Sequence, residues 1–115
     1  MRVLLIAVGL GLTVIPAAAQ VISCSDAQSH VGQYITVECA VSEVHHAASG
    51  SATFIDMGDR YPNNIFTAVI FKDDASKFPN VDSLDGKTID VTGMLGRYKG
   101  KPEIILKDPA QIKVK

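Results

Sequence analysis

The sequence predicts an all-β fold, a small closed barrel of five strands, and three observations lead there. Gly32 to Val44 alternates Ile35, Val37, Cys39 and Val41 with Tyr34, Thr36, Glu38 and Ala40, the period of two of a strand with one buried face. The alternation slips by one residue at its end, where Val44 stands in place of Glu43. Such a slip signals a bulge or bend rather than a flat strand. The pattern then returns, because Gly32-x-x-Ile35-x-Val37-x-Cys39 is echoed by Gly86-x-x-Ile89-x-Val91-x-Gly93. Two long, bendable strands separated by shorter ones suit a small barrel.

Taken in order, residues 1–19 read as a secretory signal peptide. Arg2 supplies the positive start, Val3 to Ile15 is largely apolar, Pro16 breaks the run, and Ala17-Ala18-Ala19 forms a small-residue cleavage site before Gln20. The apolar run falls short of the roughly 20 residues a membrane-spanning helix needs, so no stable membrane span is expected after cleavage. An uncleaved anchor is the alternative. Residues 20–115 then form one domain. Arg2 is the only one of the 11 bases in the leader, and none of the 12 acids lies there, so the domain carries a net charge near −2. That does not favour a general polyanion binder, which should show a basic surplus. Any nucleic-acid site must be a local patch.

Both cysteines, Cys24 and Cys39, fall in this domain. An even count in an exported chain favours a disulfide. No C-x-x-C is present, so the expected bridge is structural, tying the N-terminal segment to the first strand. A competing reading takes Val21-Ile22-Ser23-Cys24 as a loose lipobox, with Cys24 carrying a lipid. Either way the protein is expected to be secreted or periplasmic.

Ser25-Asp26-Ala27-Gln28 opens a short N-terminal helix, with Ser25 or Asp26 as cap. The first strand follows Gly32. His45 to Gly50 reads as a loop, Ser51 to Met57 as the second strand, Gly58 to Asn64 as a turn, and Ile65 to Phe71 as a central third strand. Lys72 to Phe78 reads as a short helix capped by Asp73 or Asp74. The fourth strand runs from Thr88 to about Tyr98, Lys99-Gly100-Lys101 makes a hairpin, and Pro102 to Lys107 is the fifth strand. Asp108-Pro109 turns the chain toward an edge strand within Gln111 to Val114.

This order resembles the five-stranded Greek-key barrel of the OB-fold nucleic-acid-binding family, anticodon-binding type. The resemblance covers about residues 31–107. Its carriers are Val37 and Val41, Phe54-Ile55-Asp56-Met57-x-Asp59 (similar to the family's F-x-x-L-x-D), Ala68-Val69-Ile70-Phe71 with Phe78 beyond, Gly86-Lys87, and Val91-x-Gly93. The strand-one position held by Cys39 is commonly glycine in that family. Family members are usually intracellular, so an exported single-domain copy departs from the pattern.

The resemblance implies a ligand face on the second and third strands, flanked by the first and last hairpin loops. Arg97-Tyr98-Lys99-Gly100-Lys101 then becomes a clamp for single-stranded nucleic acid, its cations meeting phosphates and its ring stacking a base. A solvated hairpin tip is the alternative. His45 and His46 fall on the same rim, and Arg60 and Tyr61 extend it. Thr53, Phe66 and Ala68 are further candidates, with core filling the stronger role for Phe66. Adjacent histidines make a poor two-ligand metal site, even with Asp56 and Asp59 as extra donors, so no metal is expected. No cofactor is expected either. Neither a nucleophile motif nor a phosphate loop accompanies His30, His45 and His46, so the protein reads as a non-catalytic binding module. Protein or oligosaccharide is the alternative partner, and a small metal-dependent nuclease is a third reading.

Overall fold

Residues 20–115, which the computed structural model describes, form strands β1 (Val21–Ser23), β2 (Tyr34–His46), β3 (Ala52–Met57), β4 (Phe66–Phe71), β5 (Thr88–Met94), β6 (Gly96–Tyr98), β7 (Lys101–Ile105) and β8 (Ile112–Val114). The expected leader over 1–19 lies outside the described residues. The glycine-led stretch is the spine. Tyr34 to Ala40 of β2 pairs antiparallel with β5, while Val41 to His46 pairs antiparallel with β3. The register shifts between Val41 and Glu43, so the slip in the sequence is a bulge at Ser42. There β2 bends from one neighbour to the other.

Hydrogen bonding runs in the order β6-β7-β4-β3-β2-β5-β8. Only Leu95 separates β5 from β6, so the sheet curls back toward its own start. Leu95 is fully buried, and its backbone carbonyl and N–H bond Gly32 and Gln33. One expected strand is thus two, bent where it turns from β2 to β7. β8, the expected edge strand, lies along β5, and β1 pairs parallel with β2, so the described residues hold eight strands where five barrel strands and one edge strand are expected.

Among the described residues the helical segments are all short 3-10 turns. Cys24–His30 is capped by Ser23 rather than by Ser25 or Asp26. Lys72–Lys77 has no side-chain cap from Asp73 or Asp74, and a second turn, Val81–Leu84, follows it between β4 and β5. Asp108 and Gln111 form a capping box around Pro109–Gln111.

The alternating positions meet inside. Ile35, Val37, Cys39 and Val41 of β2 pack with Ile55 and Met57, Phe66, Ala68 and Ile70, Ile89 and Val91, and Leu95, Ile104 and Leu106. Gly93 is needed there, since a Cβ on it would stand 2.7 Å from Ile104 Cγ2. Cys24 and Cys39 are bridged, with Cα atoms 5.4 Å apart, which pins the first 3-10 turn to β2.

Candidate ligand-binding groove

The bulge decides which side chains leave the core. Beyond Ser42, Val44 opposes the fully buried Ile55 and packs toward the interior. Strand alternation then sends Glu43 and His45 to the other face. Register sets Glu43 opposite Asp56, Asp56 opposite Thr67, and Thr67 opposite Glu103. One row across four strands therefore carries three carboxylates. The next row sets His45 beside Phe54, with the rings stacked at 5.0 Å between centroids.

Over this face lies a cavity of about 660 Å³. Its rim is made by the β2–β3 loop, by Tyr61 and Pro62 between β3 and β4, and by Tyr98, Lys99 and Lys101 of the β6–β7 hairpin. The hairpin is tight because Lys99 and Gly100 both take positive φ, 50° and 81°. Lys99 Nζ lies 5.3 Å from the centroid of the Tyr98 ring, and Lys101 Nζ lies 5.9 Å from that of Tyr61, both within cation–π range.

The floor is polar and closely bonded. Asp56 is 1% exposed. Its Oδ1 accepts from Asn64 Nδ2 at 3.3 Å and from Thr67 Oγ1 at 3.4 Å. Lys101 Nζ donates to Asn64 Oδ1 at 3.0 Å and to the Pro62 carbonyl. Asp56 Oδ2 lies 2.8 Å from His45 Nδ1, yet the approach lacks hydrogen-bond alignment, and both atoms are shielded from solvent with no other partner. Burial raises the Asp56 pKa, partly countered by the adjacent His45. Burial also raises that of Glu103. Glu43 accepts from Arg60 at 3.1 Å through Oε1 and from the Tyr61 N–H at 3.3 Å through Oε2.

Six of the sequence-derived candidates line the cavity: His45, His46, Tyr61, Tyr98, Lys99 and Lys101. Arg60 stands behind it, paired with Glu43. Arg97 is exposed on β6 opposite Pro102 and is not among the lining side chains. His46 is held between Thr53 Oγ1 at 3.0 Å and Asp82 Oδ1 at 2.8 Å. Phe66 and Ala68 are fully buried core residues. Asp59 bonds the Arg60 N–H rather than joining Asp56. His30 bonds Gln33, away from the groove. The sequence reading missed Glu43, Asn64, Thr67 and Glu103. The signal for Glu43 was the slip itself, because a bulge reverses the face of every residue after it.

No family model and no curated protein matches the chain. Solved structures do. The OB domain of a Methanosarcina mazei protein superposes with a TM-score of 0.57 at 15% identity, covering 86% of this chain and 84% of that one. An OBody bound to hen egg-white lysozyme gives 0.59 at 16% identity, covering 90% and 98%. An aspartyl-tRNA synthetase from Entamoeba histolytica gives 0.56 at 14% identity. The match covers 84% of this chain but only 21% of the synthetase, so the likeness is to one domain of it. The chain thus has the OB fold.

Proposed function

We propose that the protein is an exported, non-catalytic OB module that binds single-stranded nucleic acid or oligonucleotides in this groove. One observation carries the reading: a single cavity gathers Phe54, Tyr61 and Tyr98 with Lys99 and Lys101 at its rim. The exposed Tyr61 and Tyr98 rings and the half-buried Phe54, beside cations, suit a chain of stackable bases joined by phosphates. The OB fold shared with an aspartyl-tRNA synthetase supports the same ligand class. Export is supported by the Cys24–Cys39 bridge, which persists in oxidising compartments, and by the leader-like residues 1–19.

A second reading is favoured by the carboxylate row. Glu43, Asp56 and Glu103 lie on the same sheet face and oppose a densely charged polyanion. A protein or oligosaccharide partner would avoid that repulsion, and the similar fold of an OBody bound to hen egg-white lysozyme supports a protein partner. Fluorescence anisotropy with labelled single-stranded DNA and RNA separates the two. The first reading expects micromolar or tighter binding that weakens with salt and is lost in Tyr98→Ala. Absence of binding at micromolar protein and low salt overturns it.

A further inference from the structure

We propose that Glu43, His45 and Asp56 form a binding site for one divalent transition-metal ion, of the zinc class, at the floor of the groove. The three residues each offer a donor atom, and these atoms lie within 4.8 Å of one another. Two come from one strand at i and i+2, and the third is the register partner of the first, so the sheet itself converges them. Ligands about 2.1 Å from a tetrahedral zinc stand roughly 3.4 Å apart. The His45 Nδ1 distances to Asp56 Oδ2 and Glu43 Oε2, 2.8 and 4.0 Å, straddle that spacing.

The buried carboxylate is the independent pointer to a ligand. Asp56 Oδ1 is bonded by Asn64 and Thr67, but Oδ2, shielded from solvent, has no aligned donor. The facing Nδ1 is equally unsatisfied. The two buried atoms face each other at 2.8 Å without an aligned hydrogen bond, a poorly satisfied arrangement that is costly, and one cation between them would satisfy both. The outer partners hold the set as ligands are commonly held. Asn64 and Thr67 fix Asp56, while Arg60 and the Tyr61 N–H fix Glu43.

The chemistry of the donors narrows the ion. Two carboxylates and a neutral imidazole carry a charge of about −2, which a divalent ion cancels. The nitrogen donor favours zinc over calcium, magnesium and manganese, which suit oxygen ligands. Both cysteines are in the disulfide, so no thiolate competes. Three protein ligands leave a coordination position open, and Asp56 and His45 line the cavity.

The test needs no oligonucleotide, so its outcome is separate from that of the proposed function. The protein is stripped with chelator, then titrated with Zn2+ against a chromophoric competing chelator and with Co2+ by visible absorption. One ion per chain is expected. His45→Gln and Glu43→Gln, both at partly exposed positions, should each weaken binding at least about tenfold and alter the Co2+ spectrum. His46→Gln should do neither. The proposal is overturned by absence of stoichiometric binding, by unchanged affinity in His45→Gln and Glu43→Gln, or by loss of binding in His46→Gln alone. Urea melts of each variant verify folding, and an unfolded His45→Gln leaves Glu43→Gln to decide.

Discussion

Lys99 and Lys101 sit two residues apart on one hairpin, yet the structure gives them different duties. Lys99 is exposed, and its amine lies only over the Tyr98 ring. The Lys101 amine donates to Asn64 Oδ1, and Asn64 is 4% exposed. Lys101→Met keeps most of the aliphatic stem but leaves that amide oxygen without a donor. An unsatisfied buried acceptor costs about 1–3 kcal/mol, or a melting point lower by at least about 4 °C in a domain of this size. Lys99→Met should stay within about 0.5 kcal/mol of the parent. For ligand, the two should act alike. Each lysine that meets a phosphate contributes about 0.7 to the slope of log K against log salt on a single strand. The parent slope from this pair is then about −1.4, and either substitution should bring it to about −0.7. Urea melts and anisotropy titrations at several salt concentrations read both quantities. Equal stability of the two variants would refute the role given to Asn64. Unchanged slopes in both would remove the hairpin from the binding surface.

Three further perturbations follow from the same geometry. Reducing the Cys24–Cys39 bridge, which spans a sequence separation of 15, should cost about 3 kcal/mol in the chain-entropy model; a urea midpoint unmoved by reductant would contradict this. In metal-free protein, Asp56 has a folded pKa raised by burial, so its contribution favours the fold below the unfolded carboxylate range and is lost as pH rises through the raised value. The stability of Asp56→Asn relative to the parent should therefore improve from pH 4 toward neutrality, and a gap that stays constant with pH would count against the burial argument. Gly93→Ala places a Cβ 2.7 Å from Ile104 Cγ2 and 3.1 Å from Gln111 Nε2. It should lose about 1–3 kcal/mol by overpacking, whereas a neutral outcome in thermal melts would mean that β5 shifts freely.

The curled sheet's buried face is legible in the sequence because one physical effect writes it. Ile35, Val37, Cys39 and Val41 must all face inward, and period-two alternation states this without reference to partners. The glycine-led echo works for the same reason, since its half of the pattern pairs with the first as β2 with β5. Features set by distant contacts are not written locally. Gly93 and Gly96 beside Leu95 permit a bend, but its position is set because Gly32 and Gln33 capture the Leu95 backbone, dividing one alternating stretch into β5 and β6. Similarly, Asp73 and Asp74 look like caps, but the segment follows β4 so closely that Phe71 occupies the capping position.

The groove shows the same division more sharply. Its rim was legible because lysines, tyrosines and histidines gathered at strand ends and in turns are residue types seldom fully buried, so their clustering there is itself a signal. Its floor was not, because Glu43 in a strand reads only as an imperfection in the alternation. Counting from Val41 without interruption puts Glu43 on the core face, where an unpaired carboxylate would be prohibitively costly. That conflict is removed by one extra residue at Ser42, which turns Val44 inward and Glu43 outward. The bulge therefore solves a folding problem and creates the site in one step, since the carboxylate expelled from the core arrives opposite Asp56 and beside His45. A charged residue that breaks a strand's alternation, followed by resumed alternation in the opposite phase, should be read as a side chain delivered to the sheet's outer face.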